Sequence, residues 1–367
     1  LLQLRDKRVF LFWGQGRFFA LFCIIMKRIR KKGIPMIKEA DVWQAAQPLM
    51  PPLAQNDDCF HEVISPKLKR LYSLDTFVEG THFDLKWQSL QSIAWRCLAA
   101  SLSDLAACGG TPLSYLIGLT LPENVTQEEV DAFYEGLHVA TQAMAPELAL
   151  WGGDTTRGSQ WVISLSVIGQ VAADVTLTRS QAQVGHVILT TGHSGLAGLG
   201  CQLLSLGKDI ASFPEAIQHF KRPTAQLQAG QCLAKLIPQA SLMDTSDGLA
   251  DALVKCAKAS GTHFTVDGSK IVVSSELLMA EIYFEEVDTL DLLFYGGEDF
   301  HLLASVPQAA WLTHKSALEA VGFYDIGVVE ACVNQAPYAS VQWQDGFRQG
   351  LFEEKSFQHF QATETPT

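Results

Sequence analysis

Aspartates beside glycine and small hydroxyl residues are the part of this sequence best suited to chemistry. Asn56-Asp57-Asp58, Asp75, Asp104, Asp154, Asp244 and Asp247 fall mostly at predicted strand ends or helix starts, next to Gly, Ser or Thr. One such aspartate is most often a helix N-cap or a turn residue. A whole set is harder to explain that way. Carboxylates that converge repel one another unless cations sit between them. Magnesium takes oxygen ligands and usually keeps substrate phosphates in its shell. A converging set is therefore a natural seat for the triphosphate of ATP with several metal ions.

Two glycine-rich stretches fit the same chemistry. Trp151-Gly152-Gly153-Asp154-Thr155-Thr156-Arg157-Gly158 joins tight turns and open backbone N–H groups to a carboxylate for metal and an arginine for anions. Thr191–Gly200 reads as a strand-to-helix turn that can cradle phosphate. It lacks the lysine of a Walker loop, and close helix–strand packing explains its glycines equally well.

The elements that must position these residues alternate between strand and helix. Arg70–Leu74 is a predicted strand ending at Asp75, and Ser92–Cys108 a predicted helix stopped by Gly109-Gly110 and Pro112. Leu113–Leu121 is an apolar strand. Thr126–Met144 is a helix with Thr126 and Glu129 spaced as a capping box. Leu148–Trp151 reads as a short strand ending at Gly152-Gly153, and Trp161–Val171 as another strand. A second unit begins near Leu177. Its predicted strands are Gly185–Thr191, His263–Val266, Phe300–Val306 and one near Gly327–Glu330; its helices include Ala225–Leu236 and Asp247–Ser260. The fold class is α/β or α+β in two domains.

The chain has 367 residues, of which 48% are hydrophobic and 18% charged, enough apolar material for two sizeable cores. The formal net charge of −12 hides an asymmetry. Residues 1–38 hold ten Lys/Arg and one acid, which leaves 17 bases against 38 acids in the rest. An acidic body repels nucleic acid and anionic membrane and recruits metal cations. The eight cysteines are scattered with no C-x-x-C pair, which fits a reducing cytoplasm better than a disulfide or zinc framework. Residues 1–35 stand apart: an apolar run from Phe10 to Met26 precedes a basic cluster. The run is shorter than a membrane span and its charge order is wrong for a secretory signal. The readings for it are an extension outside the fold, with a start at Met36; an amphipathic surface segment; or a packed addition. Nothing downstream resembles a membrane span.

Several blocks carry a resemblance to a known family. Ser73-Leu74-Asp75-Thr76-Phe77-Val78-Glu79-Gly80-Thr81-His82-Phe83 resembles the S-T-D-T-x-V-x-G-x-H-F segment of thiamine-monophosphate kinases, and Leu102–Gly110 resembles their N-L-S-D-L-A-A-M-G-A. Gly152–Gly158 resembles G-G-D-T-T-R-G, and Leu177-Thr178-Arg179-Ser180 resembles L-T-R-S-G-A. Asp244–Leu249 is similar to D-x-S-D-G-L, Gly296–Phe300 to G-G-E-D-Y/F, and Phe357–Phe360 to a terminal aromatic-x-H-F. The blocks keep family order from about residue 40 to 360.

The resemblance implies a two-domain PurM-like fold, shared with aminoimidazole-ribotide synthetases. An N-terminal ATP/Mg-binding α/β domain (36–175) would dimerise through its sheet, and a C-terminal α/β domain (176–367) would close the site. It implies that ATP phosphorylates thiamine monophosphate by direct in-line transfer in a cytoplasmic homodimer with several Mg²⁺ ions. Asp58, Ser73, Leu74 (through its carbonyl), Asp75, Asp104, Asp154, Asp244 and Asp247 would hold metal, with Asp75, Asp104 and Asp154 central to catalysis. Gly153, Asp154, Arg179 and Ser246 would contact ATP, and His82, Glu298 and Phe357 would line the acceptor pocket. Two residues depart from the pattern: Asn56 replaces a glycine, and Leu74 replaces a threonine, a harmless change if the position binds metal through its backbone carbonyl and a lost ligand if it binds through the hydroxyl. The family's glycine-glutamate start is not evident before Asn56. Two alternatives stay open: a related ribotide- or selenophosphate-type synthetase, and a non-catalytic nucleotide-binding homologue.

Overall fold

The computed structural model describes residues 39–49, 57–208, 210–332 and 338–356. Asn56, Phe357 and residues 1–35 lie outside the described residues. One short helix, α1 (Glu39–Ala46), belongs to a separate unit; everything below belongs to the compact unit spanning residues 52–357.

The first half of that unit runs β1 (Phe60–Ser65), β2 (Leu68–Val78), α2 (Leu90–Ala107), β3 (Thr111–Pro122), α3 (Gln127–Met144), β4 (Ala149–Gly158) and β5 (Val162–Ala172). Its sheet has the order β1-β2-β5-β3-β4. In β5, Ile163, Leu165, Val167 and Val171 are buried while Ser164 and Ser166 alternate with them, the two-residue period of a strand with one core face. The second half runs β6 (Thr176–Thr178), β7 (His186–Thr191), α4 (Leu196–Ser205), α5 (Pro214–Lys221), α6 (Leu227–Leu236), β8 (Gln239–Asp244), α7 (Leu249–Ser260), β9 (Thr262–Asp267), α8 (Ser275–Tyr283), α9 (Thr289–Tyr295), β10 (Leu302–Pro307), α10 (Gln308–Glu319), β11 (Phe323–Ala331), β12 (Ala339–Gln342) and β13 (Arg348–Leu351). Its eight strands form a mixed sheet in the order β13-β12-β9-β11-β7-β10-β8-β6.

Helix α2 joins the halves. Its sequence, LQSIAWRCLAASLSDLAA, is apolar nearly all round, which marks a helix buried on every side. Ser89 caps its start by accepting a hydrogen bond from the Ser92 N–H at 3.3 Å. Leu98, Leu102 and Leu105 are fully buried in one core cluster that also contains Leu71 and Leu165 of the first sheet and Leu233, Leu242 and Leu302 of the second half. Each such leucine contributes about 1.5–3 kcal/mol through burial. Helix α6 crosses α2 at Gly230, where a Cβ would fall 2.0 Å from the carbonyl oxygen of Ala106. Only a glycine allows backbones to come this close.

Two elements differ from the sequence reading. Strand β2 does not end at Asp75: it pairs with β5 without a break from Leu68↔Ala172 to Val78↔Val162, so Asp75 is an interior strand residue. Nor is Gly152–Gly158 a turn. It is most of edge strand β4, which runs parallel to β3 with Ile117 beside Gly153 and Gly118 beside Asp154. A Cβ on Gly153 would lie 1.9 Å from the Ile117 carbonyl oxygen, so the glycine is there for close strand approach.

Candidate active site

Three aspartates from three elements meet at the junction of the halves. Asp58 precedes β1, Asp104 lies in the last turns of α2, and Asp244 ends β8. One carboxylate oxygen from each lies within 4.8 Å of the others. The Ser73 hydroxyl on β2 donates to Asp104, and the Ser246 hydroxyl donates to Asp244 at 3.0 Å. Oδ2 of Asp58 is buried with no hydrogen-bond partner.

Burial and mutual repulsion govern the electrostatics. Burial, reinforced by the charges of Asp75, Asp244 and Asp58, pushes Asp104 well above the ordinary carboxylate range. Burial and then Asp58 raise Asp244 to about 7. Burial raises Asp75 as well; the Ser101 hydroxyl beside it, too loosely placed for an ordinary hydrogen bond, partly offsets this, and the charge of Asp247 adds to it. Asp57 is lifted to about 7 by burial and then by Asp58. Carboxylates raised together in this way form a site that favours a cation over its own bare charge. Three hard oxygen donors, one with an unpartnered buried oxygen, fit magnesium.

The other anticipated residues are distributed around this centre. Arg179 follows β6; its guanidinium pairs with Asp58 and its backbone N–H donates to Asp57 at 3.2 Å. Ser73 and Asp75 face α2 from β2, whereas Leu74 points to the opposite face of the sheet and is 66% exposed. Asp247 pairs with Lys255 at 3.2 Å, and Lys255 also pairs with Asp251 at 2.7 Å. His82 closes the turn after β2, where its Nδ1 accepts the Val78 N–H at 2.9 Å. Glu298 has a positive φ of 63°, and its N–H donates to the Ser246 carbonyl at 2.8 Å. Its turn therefore sits directly beside the Asp244–Asp247 loop.

Asp154 is not in this cluster. In the sheet register it lies beside Gly118, then Ser164, then Thr76, one residue out of phase with Asp75. That row faces away from α2, with Asp154 and Thr76 exposed at its two ends, and Gly153 shares the same edge strand. The second glycine stretch also behaves differently from a phosphate cradle. The N–H groups of Gly195 and Ala197 at the start of α4 are taken by Asp299, at 2.6 and 3.0 Å. Gly198 is there for packing, since a Cβ would meet Gly296 Cα at 2.8 Å.

Two residues escaped the sequence reading. Asp299 caps α4, although it directly follows Glu298 in the G-G-E-D run. Arg96 on α2 pairs with Glu298 and donates to the His82 carbonyl. A signal for it was present: Arg96 and Asp104 are the only charged residues in the eighteen-residue α2. A lone charge inside a buried helix needs a partner.

Residues 56–171 match the family described as AIR synthase related protein, N-terminal domain, and residues 183–338 match its C-terminal domain. The thiamine-monophosphate kinase of Salmonella typhimurium is 32% identical over 310 residues, covering 83% of this chain and 90% of that protein. The Bacillus subtilis enzyme of the same name is 30% identical over 249 residues, covering 66% and 74%. Among solved structures, "AaThiL complexed with AMPPCP and TMP" superposes with a TM-score of 0.76 at 26% identity, covering 89% of this chain and all of that one. The hydrogenase maturation protein HypE in complex with ATP, at 17% identity and a TM-score of 0.63, shares the fold.

Proposed function

The chain belongs to the thiamine-monophosphate kinase family, and from that membership we propose that it transfers the γ-phosphoryl group of ATP to thiamine monophosphate, giving ADP and thiamine diphosphate, in thiamine biosynthesis. The observation that carries this is the convergence of Asp58, Asp104 and Asp244 from elements far apart in sequence. The acceptor phosphate oxygen is anionic near neutral pH, so the reaction needs little from a general base. In-line transfer then rests on alignment and charge neutralisation.

Asp58, Asp104 and Asp244 would hold Mg²⁺, with Ser73, Asp75 and Asp247 around them and the Leu74 carbonyl as a further donor. Magnesium bound there supplies positive charge to the phosphates of both substrates. The Ser73 and Ser246 hydroxyls fix the orientation of Asp104 and Asp244. Arg179, anchored by Asp57 and Asp58, is the cation nearest the cluster for a phosphate oxygen. Glu298 and His82 would receive the acceptor, with Phe357 stacking on its cationic heterocycle. Gly153, Asp154 and Ser246 would complete the ATP site.

We place residues 36–175 in an ATP/Mg-binding domain and 176–367 in a second domain. We also propose a homodimer through the open face of the first sheet, where Leu74 and Leu116, in one row of the sheet, are 66% and 42% exposed. A cytoplasmic location fits, since no described helix is long and apolar enough to cross a membrane and the described cysteines are free. The test is a coupled ADP-release assay. Turnover should require thiamine monophosphate, ATP and Mg²⁺ together; ADP release that ignores the thiamine compound would overturn the assignment.

A further inference from the structure

We propose that Arg96 is a positioning residue for the acceptor substrate, holding Glu298 and the His82 turn at a fixed distance from the metal-binding aspartates. The proposal rests on the thiamine-monophosphate reading and deepens it.

The Arg96 side chain is 8% exposed, so its charge is almost wholly removed from water. Burying an unpaired guanidinium is prohibitive, and two of the residues it bonds, Glu298 and His82, are the ones proposed for the acceptor. One terminal nitrogen bonds the Glu298 carboxylate. The other donates to the His82 carbonyl and to Gln88 Oε1, each at 3.3 Å. Phe220 covers the flat face, with its ring centre 4.1 Å from Cζ. Nε has no hydrogen-bond partner, so the group is held by its forked end and its stacked face.

Glu298 is fixed from two directions. Its backbone is held in a left-handed conformation by the N–H bond to Ser246, and its carboxylate is held by Arg96 from the other half of the unit. Yet the Glu298 side chain remains 36% exposed, so it is oriented without being sealed off. His82 is 14 residues from Arg96 in sequence and Glu298 is 202 away; one guanidinium joins them. Arg96 and Asp104 also share one rigid helix, two turns and about 12 Å apart along its axis. Helix α2 thus carries both the clamp on the acceptor pocket and a carboxylate of the metal site. The spacing between acceptor and metals is set by this single element.

Arg96 touches neither substrate in this account, so its loss should appear in the acceptor's apparent affinity. In Arg96→Gln, the KM for thiamine monophosphate should rise at least about tenfold while the KM for ATP stays within about twofold. Arg96→Lys keeps the charge but not the fork, and should recover part of the loss. Glu298→Gln should raise the same KM, and the double variant should be little worse than the worse single one, because both remove one interaction. Melting curves are recorded in parallel. If Arg96→Gln folds and leaves the acceptor KM unchanged, or raises both KM values alike, the proposal is wrong. If Arg96→Gln does not fold, an unchanged acceptor KM in both Arg96→Lys and Glu298→Gln overturns it equally. A wild-type protein silent toward thiamine monophosphate would sink the functional reading and this proposal with it, and is told apart from the other failures because they need an active wild type.

Discussion

The face of the first sheet that meets α2 and the face turned the other way both carry aspartates, under opposite conditions. On the inner face Asp75 lies against Ser101 and near Asp104, both aspartates partly buried and both raised by that burial. On the outer face Asp154 stands on an edge strand beside glycines and in solvent, on the same side as the exposed Leu74. The inner set is costly to assemble and is arranged by one chain alone. The outer residue costs the fold almost nothing, and what it works with must come from outside its own sheet face. A sheet with one finished and one unfinished face allows a reaction centre to be preassembled while its rim is completed later.

Four measurements test that contrast. Asp104→Asn removes the carboxylate at the centre of the inner set, and turnover should fall on the order of 10³-fold. Asp154→Asn should lower turnover by about 10²-fold with melting unchanged, because an exposed strand residue contributes little to stability. If the two losses match, inner and outer faces belong to one centre; if Asp154→Asn is near normal, the outer face has no part in the chemistry.

The third measurement is the pH dependence of stability. The folded pKa of Asp244 is about 7, above its ordinary 3.8, so between these values the native chain binds a proton that the unfolded chain does not. This stability is present below about 3.8 and lost as pH rises through about 7. In chelator, the melting temperature should therefore drop by about 5 °C between pH 5 and pH 8, and Mg²⁺ should restore it at pH 8. A flat profile in chelator would mean that the inner carboxylates are solvated. The smallest effect is expected on the outer face. Leu74→Asp should change intrinsic stability by less than about 0.5 kcal/mol while shifting the mass seen by light scattering from dimer to monomer. An unshifted mass would remove the outer face as an association surface.

Much of the centre was legible in the sequence because its carboxylates sit in short local patterns. Asp104 follows Ser103 in a helix, and Asp244 and Asp247 flank Thr245-Ser246 before Gly248; turns and helix starts of that kind are written in neighbouring residues. Alternating Ile163, Leu165 and Val167 likewise announced β5. Only the start of strand β4 was legible, as Leu148–Trp151: glycine weakens a strand, and the run Gly152-Gly153 reads as its end until Ile117 is known to lie against it. The unbroken β2 was missed because its length is set by β5 as partner and not by its own residues. The Arg96–Glu298 pair spans 202 residues, and no local pattern encodes such a contact.

The crossing at Gly230 has a mechanical consequence. Asp104 rides on α2, while Asp244 belongs to the second sheet, whose core leans on α2 through α6. A single methyl group at position 230 would act as a wedge between these bodies. The gauge of the phosphate-handling gap is thus set by a missing side chain, at a contact two residues along α2 from Asp104.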